Sequence, residues 1–188
     1  MVRKVNNNEV VGTVHLMERV LALFLDSPTK KRHVRGVARE LHISPRTAKK
    51  YLATLQRDGY LLYEKDGIYE KFRADRDSQI FKDRKIFHTI RKLRECGVIE
   101  HIEEDMNYPA LVLYGSAARG EDTEKSDIDI FIVGKTEKEA DVSRFGKKLG
   151  RGIQLMLMDE RDFKGGRSGE LVNNVLNGIV LSGFLEVF

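Results

Sequence analysis

The chain has 188 residues, 41% hydrophobic and 33% charged, a composition typical of a soluble folded protein with one or two small domains. It has no run of about 20 apolar residues that could cross a bilayer. Its first ten residues also lack the apolar segment of a secretion signal, so we expect a cytoplasmic protein without membrane contact. Cys96 is the only cysteine, which excludes an internal disulfide.

Charge is distributed unevenly along the chain. The net charge is +4, but residues 1–95 hold 22 Lys and Arg against 12 Asp and Glu, whereas residues 96–188 hold 11 against 17. A basic half beside an acidic half indicates two modules with different partners, the basic one suited to a polyanion. Charge alone leaves open the alternative that the segregation is accidental.

The basic half begins with two predicted helices. Apolar residues recur at helical spacing over residues 9–25, where Ser27-Pro28 ends the run, and a shorter helix is predicted over 34–41. Two short strands follow later, in YLLYEKDGIYEKFRA, with their turn at Asp66-Gly67.

Between these elements, the segment ISPRTAKKYLATLQRDGYL predicts a third helix. Ser44 is a favourable N-cap, Pro45 suits the first helical position and Gly59 suits the end. The inward stripe of this helix consists of Ala48, Tyr51, Leu52 and Leu55. The side chains left mostly outward are Arg46, Thr47, Lys49, Lys50 and Arg57.

This order of helix, helix, turn, helix and hairpin resembles a winged helix-turn-helix DNA-binding domain over about residues 9–75. The resemblance implies double-stranded DNA as a partner, with the third helix in the major groove and the hairpin on the backbone or minor groove. The residues it implies at bases and phosphates are Arg46, Thr47, Lys49 and Lys50, with Lys65, Lys71 and Arg73 on or near the wing. Protein interaction is the alternative, because a fold does not determine a function.

Residues 76–106 are predicted to form one helix, either continuous or interrupted at Gly97. Its apolar positions at helical spacing are Ile80, Phe87, Ile90 and Leu93. We expect this stripe to pack within the chain, and packing against a second copy in a homodimer is the alternative. The predicted organisation is a winged helix-turn-helix domain over 1–75, a helical connector over 76–97 and a second domain over 98–188.

The acidic half alternates strands and helices. Strands are predicted over 110–114, 127–133 and 152–158, and a helix over 136–150 with Thr136 and Glu139 at capping-box spacing. A short helix capped by Asp159, a helix ending at Gly178 and a closing strand complete the chain. The fold class is therefore a two-domain α+β protein whose second domain is a mixed sheet with flanking helices.

The stretch GSAARGEDTEKSDID carries the strongest chemical signal. Gly115 follows a strand and lets backbone amides approach a phosphate, while Ser116 adds a hydroxyl donor. Asp127 and Asp129 stand two residues apart on a strand, so both point to one face and can share divalent cations. A polar hairpin between two strands is the alternative, but the joint pattern is more specific than an Asp-x-Asp alone.

The run YGSAARGEDTEKSDIDIFIV resembles the signature of the minimal nucleotidyltransferases, a branch of the DNA polymerase beta-like superfamily, and the similarity extends over about residues 98–188. The resemblance implies ATP or another nucleoside triphosphate as donor and Mg²⁺ or Mn²⁺ as cofactor. It assigns triphosphate contacts to Gly115 and Ser116, phosphate contact or loop bracing to Arg119, and catalysis and metal binding to Asp127 and Asp129.

The chain departs from that family at one position. The superfamily has a third carboxylate on the following strand, where this sequence has Gln154, and an amide cannot accept a proton. Three interpretations stay open. The domain transfers a nucleoside monophosphate with two acids, or the acceptor supplies its own base, or the domain only binds nucleotide within a DNA-binding transcription regulator or antitoxin.

The acceptor is not readable from the sequence. After the third strand only about 30 residues remain, too few for the helical domain with which larger relatives hold an acceptor. The resemblance therefore implies an acceptor from a partner protein, from the DNA-binding module or from a dimer mate. Relatives of this size include antitoxins that transfer AMP to a toxin protein.

Overall fold

A computed structural model describes residues 7–66, 69–134, 140–165 and 169–185. The chain divides into two compact units between Phe81 and Lys82. The helices of the first unit are α1 (Asn7–Asp26), α2 (Val34–Glu40) and α3 (Pro45–Arg57), and its strands are β1 (Arg32–His33), β2 (Leu61–Asp66) and β3 (Tyr69–Ala74). Within the described residues, no helix is both long enough and apolar enough to span a bilayer.

Helix α3 forms as its sequence predicts. The hydroxyl of Ser44 accepts a hydrogen bond from the Thr47 amide at 3.0 Å, and Pro45 occupies the first turn. The apolar stripe predicted from the sequence is buried in the core of the unit, with Leu52 fully buried. Strands β2 and β3 pair antiparallel, and β1, which the sequence did not predict, pairs with the other side of β3. The predicted turn at Asp66-Gly67 lies partly outside the described residues.

The connecting helix is broken at the predicted glycine. Helix α4 spans Gln79–Cys96, Gly97 has φ +82°, and α5 follows over Val98–Asp105. The predicted apolar stripe is partly wrong: Ile80 and Phe87 are 51% and 53% exposed. Leu93 of the predicted stripe is buried, and the other buried residues of α4 are Phe81, Lys85, His88 and Thr89. A charged residue lies on this face because Lys85 pairs there with a carboxylate, which offsets the cost of its burial.

The second unit is built on a four-stranded sheet in the order β6-β5-β4-β7. Its remaining elements are β4 (Ala110–Tyr114), α6 (Gly115–Ala118), β5 (Ile128–Val133), α7 (Ser143–Leu149), β6 (Ile153–Met158), α8 (Glu160–Gly165), α9 (Glu170–Leu176) and β7 (Ile179–Ser182). Strand β5 runs antiparallel to β4 and parallel to β6, so the sheet is mixed as predicted.

Helices cover both faces of this sheet. One face packs against Leu93, α5 and α7, and the other packs against Phe163 of α8 and against α9. Strand β4 is buried along almost its whole length, which explains its unbroken apolar sequence ALVLY. Helix α7 begins at Ser143, seven residues later than predicted, because the Asp141 side chain accepts hydrogen bonds from the Ser143 amide and hydroxyl. The predicted Thr136–Glu139 capping box lies outside the described residues.

Candidate functional site

The two aspartates and Gln154 lie on one face at one end of the sheet. Asp129 pairs in register with Tyr114 of β4 on one side and with Gln154 of β6 on the other. Asp127 comes two residues earlier, and its Oδ2 accepts a hydrogen bond of 2.6 Å from Nε2 of Gln154. Parallel pairing of β5 with β6 therefore brings the predicted third-carboxylate position beside the Asp-x-Asp pair.

The glycine-serine corner lies directly against this pair. Gly115 follows β4 with φ +70°, and a Cβ added there would lie 2.7 Å from Oδ2 of Asp129. A Cβ on Gly152, the residue before the neighbouring strand β6, would collide with Oδ1 of Asp127. Each carboxylate is thus accommodated by the absence of a side chain next to it.

The electrostatics of the pair favour a cation. Partial burial, and then repulsion by the charge of Asp127, raise the pKa of Asp129 above its ordinary value, while Arg151 acts in the opposite direction. The pKa of Tyr114 is also raised, first by partial burial and second by the negative charge of Asp129. A divalent cation between the two carboxylates would remove this repulsion.

The protein supplies only some of the ligands that a Mg²⁺ ion needs. Among the residues described, no group of three or more His, Cys, Asp or Glu side chains is placed to hold a metal ion. Mg²⁺ in phosphate-transfer sites is held by one or two carboxylates together with substrate phosphates and water. The pair of Asp127 and Asp129 fits that arrangement, with the Gln154 amide replacing a third acid.

The remaining predicted phosphate contacts lie on and just after α6. Ser116 lies in the single turn of that helix and is half-buried. Its backbone carbonyl accepts a hydrogen bond of 3.0 Å from the Glu121 amide. The side chain of Arg119 is exposed, and its Nε lies 3.0 Å from Oε2 of Glu121, which also pairs with Lys82. Arg119 is thus paired with a carboxylate two residues further along the chain.

Asp159 has the capping role predicted for it. Its Oδ1 accepts the amide of Arg161 at 2.8 Å at the start of α8. A cavity of about 300 Å³ lies next to this helix, lined by Ala110, Val133, Phe163 and neighbouring residues. Ala110 and Val133 are register partners at the far end of their strands from Tyr114 and Asp129, so this cavity is separate from the aspartate pair.

The residues predicted to contact DNA lie on the first two turns of α3. Arg46, Lys49 and Lys50 are exposed, whereas the Thr47 hydroxyl lies 2.8 Å from that of Ser44 in the helix cap. Lys49 Nζ contacts both carboxylate oxygens of Glu70 on β3, at 2.9 and 3.0 Å. The hydrogen bond to Glu70 raises the pKa of Lys49, so this cation is already engaged within the protein.

Four residues beside the candidate site were not selected from the sequence. Gly152 and Arg151 precede β6, and Arg151 pairs with Asp122, which also binds Lys85. The available signal was the Arg-Gly dipeptide at the start of the strand predicted over 152–158. Nothing local in the sequence indicates the pairing with Asp122.

Part of the chain matches a known protein family. Residues 98–164, less than half of the chain, match the family model described as a nucleotidyltransferase domain. This range contains the glycine-serine corner, both aspartates and Gln154. Among curated proteins, none matches the chain. The match supports membership of the nucleotidyltransferase superfamily for residues 98–164, and with it nucleotidyl transfer as the general function.

Proposed function

We propose that the protein transfers a nucleoside monophosphate from ATP or another nucleoside triphosphate to an acceptor, in a reaction that depends on Mg²⁺. The observation that carries this proposal is the convergence of Asp127, Asp129 and the Gly115 corner at one end of the sheet. The family match over residues 98–164 supports the same general chemistry.

Each residue has a defined part in this proposal. Asp127 and Asp129 would hold the divalent cation, which would supply positive charge to the phosphates. Gly115 lets the backbone approach the triphosphate, and the Ser116 hydroxyl donates a hydrogen bond to it. Arg119 would exchange Glu121 for a phosphate oxygen when the nucleotide binds.

The proposed reaction needs no covalent enzyme intermediate. An acceptor oxygen forms a bond to the α-phosphorus, the bond from that phosphorus to the bridging oxygen breaks, and pyrophosphate leaves. The acceptor proton passes to water or to a base on the acceptor, because the Gln154 amide cannot accept it. A protein acceptor, as in the antitoxin reading, would supply both the hydroxyl and such a base.

Labelled nucleotide provides the direct test. We expect α-labelled ATP with Mg²⁺ to label an acceptor in a cell extract or in the protein itself, and EDTA to abolish the labelling. ATP labelled at the γ-phosphate, incubated with the purified protein free of kinases, is the control and should label nothing, because the γ-phosphate leaves in pyrophosphate. Nucleotide binding without α-label transfer would contradict the enzyme proposal and favour a domain that only binds nucleotide.

A specific observation favours DNA binding as a second function. The first unit combines three helices with the β1-β3-β2 sheet, and the N-terminal turns of α3 expose Arg46, Lys49 and Lys50. This arrangement supports a winged helix-turn-helix domain that inserts α3 into the major groove of double-stranded DNA. In that case the protein is a transcription regulator as well, and an autoregulated antitoxin could combine both functions.

Because Lys49 is already paired with Glu70, we expect the basic residues of α3 to contribute unequally to DNA affinity. The double substitution Arg46→Ala with Lys50→Ala should weaken binding at low salt by about tenfold or more and reduce the salt slope by about 2. Lys49→Ala should cost less, because Glu70 already competes for this cation. Fluorescence anisotropy with a DNA duplex at several salt concentrations measures these effects.

The matched control lies at the other end of the same helix. Arg57 is exposed, paired with Asp58 at 3.2 Å and distant from the N-terminal turns, so Arg57→Ala should leave the affinity nearly unchanged. An equal loss for Arg57→Ala, or no DNA affinity of the unaltered protein at low salt, would contradict the DNA-binding proposal.

A further inference from the structure

A buried ion cluster of Lys85, Asp122 and Arg151 lies behind the candidate site. Asp122 is 1% exposed and Lys85 is 2% exposed. Oδ2 of Asp122 lies 2.8 Å from Nζ of Lys85 and 2.5 Å from Nη1 of Arg151. One carboxylate oxygen therefore receives two cations, although Lys85 alone would neutralise Asp122.

The loop that carries Asp122 is anchored on α4. A Cβ on Gly120 would collide with the Lys82 carbonyl, so the two backbones are in direct contact. Lys82 also pairs with Glu121 at 3.1 Å. Asp122 is consequently held at a defined place in the unit, between helix α4 and the start of β6.

Arg151 extends from this anchored carboxylate to the backbone next to Asp127. Its Nε donates to the Ser126 carbonyl at 2.8 Å, and its Nη2 donates to the Asp127 carbonyl at 3.3 Å. The planar guanidinium thus joins one buried side chain to two successive peptide groups. These peptide groups immediately precede β5 and determine where the Asp127 side chain begins.

We propose that Arg151 is a positioning residue for metal binding, which sets the backbone of Ser126 and Asp127 so that the Asp127 carboxylate meets the cation together with Asp129. This inference rests on the proposed nucleotidyl transfer. A role in charge balance alone does not explain the geometry, because two of the three hydrogen bonds of the Arg151 side chain go to neutral carbonyls.

Substitution by lysine separates positioning from charge balance. Arg151→Lys keeps a cation for Asp122 but loses the planar fork that reaches both carbonyls. Arg94→Lys is the matched control, because Arg94 likewise donates from Nη2 to a backbone carbonyl in the same unit, that of Leu181 at 2.9 Å.

The readout is the affinity for a fluorescent ATP analogue with Mg²⁺ and with EDTA. For Arg151→Lys we expect the affinity with Mg²⁺ to fall about tenfold, since loss of a partner that orients a metal ligand costs about 10- to 100-fold. Affinity in EDTA and the melting temperature should stay near those of the unaltered protein. Amide hydrogen exchange should increase at Ile128, whose amide donates to the Gly152 carbonyl beside Arg151.

The possible outcomes separate the positioning role of Arg151 from the proposed function. Equal Mg²⁺-dependent affinity in Arg151→Lys and Arg94→Lys would overturn the positioning role and leave the proposed function intact. A fall in melting temperature with no change in Mg²⁺-dependent affinity would also overturn it, since the role would then be structural. Absence of Mg²⁺-dependent binding in the unaltered protein would refute the proposed function, and the positioning role with it.

Discussion

Asp129→Asn should lower nucleotidyl transfer at least about a hundredfold. A carboxylate that holds the cation contributes several kcal/mol of transition-state stabilisation, and about 3 kcal/mol corresponds to that factor. Asp127→Asn should have a similar effect, although its amide oxygen can still accept the hydrogen bond from Gln154. Transfer of α-labelled nucleotide measures both variants.

Although Asp129→Asn should lower transfer, it should leave the stability of the folded protein unchanged or increase it. The raised pKa of Asp129 means that its ionised form costs stability above the pKa, and a neutral amide removes this cost. In EDTA at neutral pH we therefore expect a melting temperature equal to or above that of the unaltered protein. The difference should disappear as the pH falls below the ordinary pKa of an aspartate, because the carboxyl is then protonated in both the folded and the unfolded state.

Asp159→Asn is the matched control for these two variants. Asparagine can still cap α8, so neither transfer nor stability should change much. Loss of transfer in Asp159→Asn would assign the missing acid to Asp159. Full transfer in both Asp127→Asn and Asp129→Asn would show that the pair does not hold the cation.

Gln154→Glu should strengthen Mg²⁺ binding by about tenfold, or about 1.4 kcal/mol, and increase transfer. The substitution has the same length and places a carboxylate oxygen where Nε2 now lies 2.6 Å from Oδ2 of Asp127. Without metal, the third negative charge should repel the other two and lower the melting temperature. Mg²⁺ should restore it, because the cation binds the folded site and not the unfolded chain.

A control for added charge is available on α3. Gln56 is exposed on that helix in the first unit, so Gln56→Glu adds the same charge outside the unit that contains Asp127 and Asp129. It should change neither Mg²⁺ affinity nor transfer. If Gln154→Glu behaves like Gln56→Glu, the position does not contact the cation, and the glutamine does not limit the natural activity.

The local features of the chain were predictable from the sequence. The cap at Ser44, the interruption at Gly97 and strand β4 all depend on residues within one turn or one strand, and the structure confirms them. The aspartates lie on one face because side chains alternate along a strand, so the spacing of Asp127 and Asp129 was sufficient. The two-residue strand β1 was missed because so short a strand has no periodicity to detect.

The partners of the charged side chains were decided only by tertiary structure. Lys85 was assigned no role, yet it is buried because Asp122 lies against it from 37 positions along the chain. A side-chain hydrogen bond joins Gln154 to Asp127, which lie 27 positions apart in the chain, and another joins Lys49 to Glu70, which lie 21 positions apart.

The sequence by itself therefore determined most of the elements, their order and the chemical types at the site, because hydrophobic period, capping and strand alternation act over a few residues. Only the tertiary structure decided which charges are neutralised, which faces of α4 are buried and how Asp127 is held. These outcomes depend on electrostatic and hydrogen-bond contacts between residues that meet only after the sheet and helices have packed.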